Sequence, residues 1–137
     1  MKLEFKPSWI TDEIKQQDID RISDFSKYLA VKKDRHDSEV TSSQIRKFYG
    51  EVKRIQANGV VHEKSTFKML KPKLAYAVGR QKKSERQKLE SLYVALSSAI
   101  NSVDIDSVDD VTLKKRFSNF TQLFEAIVAY HKFHGGQ

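Results

Sequence analysis

Two groups of side chains in this 137-residue sequence have the types and spacing of reactive sites. His131 and His134 lie three apart near a predicted helix end, where two imidazoles can face one metal ion; His36 and His62 stand alone. A zinc-peptidase helix needs two histidines four apart with a glutamate between them, and no partner carboxylate recurs near this pair. They read as satisfied or solvent-facing imidazoles. Asp104, Asp106, Asp109 and Asp110 resemble an oxygen cluster for Mg²⁺. They fall between two predicted helices, where aspartate turns the chain and caps the next helix. Cysteine is absent, which removes disulfides, thiolate metal sites and a thiol nucleophile. No glycine-rich phosphate loop opens a helix, and no serine sits in a nucleophile elbow. Neither an enzyme nor a cofactor is expected.

Binding chemistry is better represented. Between Gln44 and Lys88 stand thirteen Lys and Arg against three acids, Glu51, Glu63 and Glu85, a balance of 13 − 3 = +10. The remainder carries twelve basic and fifteen acidic residues, or −3, so the net charge of +7 is concentrated in one third of the chain. Such a field favours polyanions, nucleic acid first. The alternative is a solvated cationic face, or one that meets an acidic protein.

The elements that must position these charges are helical. Ile14, Ile19, Ile22, Phe25 and Leu29 predict a first helix from about Ser8 to Val31. Residues 32–39 form a charged, mobile link with no apolar residue. Thr41 and Gln44 then make a capping box, Val40 and Ile45 a hydrophobic staple, and Asn58-Gly59 a left-handed stop. This second helix buries Ile45, Phe48, Tyr49, Val52 and Ile55, and it turns Arg46, Gly50, Lys53 and Arg54 outward with Lys47 at the edge. A third helix covers Val60 to Leu70, and Pro72 breaks it from a fourth. There Leu74, Ala75 and Val78 face one way, and Lys73, Tyr76, Arg80 and Lys83 the other. Ser84 with Gln87 is a second capping box, opening a fifth helix through Leu89, Leu92, Tyr93, Leu96 and Ile100. After a turn at Asn101 to Asp106, Ser107 with Asp110 caps the last helix, whose buried stripe is Phe117, Phe120, Phe124, Ile127, Val128 and His131. Gly135-Gly136 ends it. The fold class is all-α: one compact domain, 1–137, of five or six helices. No apolar run approaches the roughly 18 residues that span a bilayer, and MKLEFKPSWITDE does not read as a signal peptide. A cytoplasmic protein without membrane contact is expected.

Three blocks carry a family resemblance: VTSSQIRKFYGEV (Val40 to Val52), LKPKLAYAVGR (Leu70 to Arg80) and LFEAIVAYHKFHGG (Leu123 to Gly136). Their order and spacing, over roughly residues 40–136, resemble the Csm-type small subunit of type III-A CRISPR effector complexes, an antiviral ribonucleoprotein. The resemblance implies a non-catalytic subunit that self-associates with further copies of itself and meets other subunits of the complex. It implies contact with guide RNA and target RNA through the backbone, without sequence preference. Arg46 and Arg80 hold the arginine positions of the first two blocks and are the leading RNA contacts. Lys132 holds the lysine position of the third, and it serves RNA or a neighbouring subunit. Charge and face geometry, not motif, nominate Lys47, Lys53, Arg54, Lys71 and Lys73. The alternatives are a free-standing helical nucleic-acid-binding protein and a protein-interaction adaptor.

Overall fold

The long C-terminal helix is the axis on which the other elements pack. In the computed structural model, which describes residues 1–33 and 37–136, seven α-helices follow in order. They are α1 (Ser8–Thr11), α2 (Gln16–Ala30), α3 (Ser42–Asn58), α4 (Lys64–Lys68), α5 (Leu70–Arg80), α6 (Gln87–Val103) and α7 (Asp110–Phe133). Single 3-10 turns at Val60–His62 and Lys83–Glu85 link α3 to α4 and α5 to α6. Among the described residues there is no strand, and no helix is long and apolar enough to cross a membrane. The centre of the charged link, with His36, lies outside the described residues.

Helix α7 packs against α1, α2, α3 and α6. Its stripe of Leu113, Phe117, Phe120, Leu123, Phe124, Ile127 and His131 is buried, as the spacing predicts, while Val128 is half-buried. Phe67 of α4 meets Phe117 and Phe120 edge-on, with centroids at 5.4 and 5.2 Å. A five-residue helix has little stability of its own, so this buried ring is what holds α4 in place.

Helix α3 forms as its sequence predicts. Thr41 Oγ1 accepts from the Gln44 amide at 3.2 Å, and Gln44 Oε1 accepts from the Thr41 amide at 2.8 Å. Gly59 ends the helix at φ 90°. The start of α3 is tied through Val40 to the helix before it and to the last helix. The Val40 amide donates to Leu29 O at the end of α2 (2.8 Å), and its carbonyl accepts from the buried His131 Nε2 (2.6 Å). The chain then turns at Gly135 and crosses back over that imidazole. A Cβ at Gly136 would collide with the His131 ring and its carbonyl, so only glycine fits there.

Several boundaries differ from the sequence expectation, each for a physical reason. The first helix is two helices, because Asn119 of α7 donates to the carbonyls of Ile10 (2.9 Å) and Asp12 (2.6 Å) at the end of α1. Asp18 fixes the same corner, accepting from Trp9 Nε1 at 3.0 Å and Lys6 Nζ at 3.3 Å. The break expected at Pro72 falls at Met69, and Lys71 is helical. Pro72 occupies the first turn of α5, where its missing N–H leaves no bond unmade. The inner face of α5 is Leu70, Leu74 and Val78 with Ala77; Ala75 is exposed. Ser84 caps nothing: α6 begins at Gln87, with Arg86 at its cap position and Ser84 in a 3-10 turn. Asp109, not Ser107, caps α7, accepting from the Thr112 amide at 2.8 Å.

Lys88 joins the link to the core. Only 3% exposed, it donates to Val31 O (2.6 Å) and Asp37 Oδ2 (2.7 Å), with its ammonium 5.1 Å from the centre of the Tyr28 ring. The Lys33 amide also donates to Asp37 Oδ2. That amide first, then the Lys88 ammonium, holds the Asp37 carboxyl below its ordinary value against a smaller opposing effect of burial. A depressed folded-state pKa contributes stability that is present above the unfolded-state value of about 3.9 and lost as pH falls through the folded-state value. Thermal melts should therefore give a falling Tm below about pH 4. Asp37→Asn should lower Tm at neutral pH and make that acid limb shallower; an unchanged acid limb would refute the contribution.

Candidate nucleic-acid interface

Helix α4 packs against both α3 and α5 and holds them side by side. Between them lies a groove of about 340 Å³, lined by Lys47, Phe48 and Glu51 from α3, Pro72, Lys73, Tyr76, Ala77 and Arg80 from α5, and the intervening Met69. Of the eight cations that the sequence nominates, Lys47, Lys73 and Arg80 converge here, and Lys132 lies near the end of α7. Tyr76 is 69% exposed, which decides against its packing on a neighbouring helix. The Arg80 guanidinium lies 5.8 Å from the Tyr76 ring centre. An exposed cation–π contact of this kind contributes about 0.5–1 kcal/mol, enough to bias both side chains toward the groove.

Glu51 is the residue the sequence reading overlooked. It accepts from Lys73 Nζ and Arg54 Nη2, each at 3.0 Å, so one carboxylate lies among the cations. The hydrogen bond from Lys73, followed by that from Arg54, holds its carboxyl below the ordinary glutamate value even though burial works the other way. Its position three residues before Arg54 was a usable signal on α3. Its pairing with Lys73, across the groove, was not.

The remaining nominated residues divide. Arg46 and Lys53 are exposed on the other flank of α3, and the Lys53 ammonium lies 5.9 Å from the Tyr49 ring centre. Lys71 turns away from the groove and donates to Asn101 Oδ1 at the end of α6 (2.7 Å). Lys83 leaves the α5 face entirely, since the helix ends at Arg80. Other members of the basic segment do structural work. Arg86 donates to Gln81 O (2.7 Å) and Gly79 O (3.4 Å) at the end of α5. Lys64 and Lys68 pair with Asp110 and Asp106. The acidic turn is thus partly neutralised by the same segment, with Asp104 in the left-handed conformation that closes α6.

The histidine pair is occupied within the fold. His131 is bonded to Val40 O, and His134 Nε2 lies 3.0 Å from Ser23 Oγ. Among the described residues, no three side chains of His, Cys, Asp or Glu gather as a metal site. What the α3–α5 surface offers is a row of flexible cations, one exposed aromatic ring and a shallow apolar floor. Those groups suit phosphate backbone and an unpaired base better than a duplex edge.

The family model described as Csm2 Type III-A matches residues 16–137. The match begins at the first residue of α2 and so extends past the three blocks to every long helix; α1 lies outside it. No curated protein and no solved structure matches the chain.

Removing the Glu51 charge should free Lys73 and Arg54 for an external anion. Glu51→Gln is expected to tighten binding of a short single-stranded RNA about two- to fivefold at low salt and to steepen its salt dependence. Fluorescence anisotropy across a salt series measures both, and weaker binding would show that Glu51 is needed to orient the cations.

Proposed function

The chain belongs to the Csm2 Type III-A family, the small subunit of the type III-A effector complex, and we propose that it is a non-catalytic subunit contacting RNA through α3 and α5. The observation that carries this reading is the groove in which Lys47, Lys73 and Arg80 surround the exposed Tyr76. Its ligand is the backbone of the guide RNA–target RNA pair. Lysine and arginine on phosphate supply affinity and register without reading bases. Sequence choice then belongs to pairing with the guide, as in other RNA-guided effectors. The subunit works in the cytoplasm, beside further copies of itself.

The energetic consequence is weak binding by one copy. Neutralising about four phosphates gives a salt slope near −3, from about −0.7 per phosphate on a single strand. Copies arrayed along one RNA would gain by effective concentration, with no new contact needed. A free-standing DNA regulator fits less well. The helix that follows α3 is the five-residue α4, whose Phe67 is buried, and that is a poor groove reader.

Arg46→Glu combined with Arg80→Glu should reduce RNA binding about tenfold at moderate salt, and reduce target capture by the assembled complex. Both residues are exposed, so Tm should stay within about 2 °C. Unchanged RNA affinity in a folded double variant would refute their assignment. Co-expression with the neighbouring genes, followed by recovery through this chain, tests the wider reading. A ribonucleoprotein containing short guide RNA is the expected product, and a lone protein–DNA complex would overturn it.

A further inference from the structure

Gly50 is the ninth of the seventeen residues of α3, the centre of the helix, where glycine is a poor helix former compared with alanine. Nothing among the described residues requires it. A Cβ built at Gly50 meets no atom within 4 Å, whereas one at Gly136 would collide with His131. Gly50 faces away from the buried stripe of Ile45, Phe48, Val52 and Ile55.

Its neighbours are informative. On a helix surface the side chains closest to position i are those three and four residues away. For Gly50 these are Arg46, Lys47, Lys53 and Arg54: four exposed cations around a position with no side chain. The result is a shallow dish whose floor is helix backbone. Arg46 and Lys47 make no hydrogen bond or ion pair among the described residues, so the N-terminal side of the rim is free to reach inward. Arg54 is held to Glu51 at 3.0 Å, and Lys53 lies against Tyr49.

We infer that this dish is the seat of a phosphodiester group of the bound RNA strand, and that Gly50 is there to let the phosphate approach the helix backbone. The inference rests on the RNA-contacting function proposed above and assigns it one register point. Removing a Cβ shortens the closest approach by about 1.5 Å, one carbon–carbon bond. The attraction of an anion to four surrounding cations strengthens as every distance shortens. Its rim ends in four charged groups and its floor is backbone, which suits an anionic oxygen group.

The test fills the dish without changing its charge. Gly50→Ala and Gly50→Gln both favour the helix, and each should raise Tm by about 2–4 °C. RNA binding should move the opposite way, with Kd for a short single-stranded RNA rising about threefold for alanine and tenfold or more for glutamine. The salt slope of Gly50→Gln should lose about 0.7, the loss of one phosphate contact. Ala57→Gln, exposed two turns further along the same face, places equal bulk outside the ring and should leave Kd and slope unchanged. The inference is overturned if Gly50→Gln binds with wild-type affinity and slope, or if Ala57→Gln weakens binding equally. Wild-type binding by Gly50→Gln alongside loss in the Arg46→Glu, Arg80→Glu variant would remove only the phosphate seat. Wild-type binding by that double variant as well would refute the RNA-contact assignment of Arg46 and Arg80 on which the seat rests.

Discussion

The bond from the His131 imidazole to the Val40 carbonyl couples the two parts of the molecule that matter most. Val40 immediately precedes the cap of α3, and its amide is held in turn by Leu29 at the end of α2. The origin of α3 is thereby set by the preceding helix, α2, and by α7 at the other end of the chain. A capping box fixes where a helix starts along the chain, but not where that start sits in space. Gly135, at φ 90°, folds the chain back, and Gly136 passes over the ring, where a Cβ would collide with it. The histidine that resembles a metal ligand is thus a positioning group for the cationic helix.

Charge on this protein is allotted by tertiary context. Of the thirteen cations between Gln44 and Lys88, Lys88 is buried as an anchor, Arg86 closes α5, and Lys64 and Lys68 offset the acidic turn. Of those on α3 and α5, Lys71 turns to the end of α6, and the others face outward around the groove and around Gly50. Glu51 lies at the junction of the two surfaces and bonds a cation from each, Lys73 and Arg54. The segment is therefore less uniformly positive than its sum implies, and its free charge is confined to fewer positions.

How much of this was legible depends on the range of the interaction that decides each feature. Helix α3, with its cap, staple, glycine stop and polar face, could be read directly because every contact that defines those features lies within a few residues. The stripe of α7 was legible from its 3.6-residue period. The split between α1 and α2 was not, because Asn119 makes it from more than a hundred residues away. The start of α5 was misplaced because proline in a first helical turn and proline as a breaker give the same local signal. Serines at 84 and 107 had capping spacing, but packing began the helices elsewhere.

The sequence by itself determined the all-α class, the family, the location of the positive charge and the outward face of α3, since each depends on composition, motif order or helical period. Only the tertiary structure decided which cations share a surface. It gathered Lys47, Lys73 and Arg80 around Tyr76, sent Lys71 to the end of α6, and buried Lys88. The physical reason is that helical period fixes an angle about one axis. The relation between two axes is set by the side chains buried between them, here Phe67 under α4 and the His131–Val40 bond beneath α3.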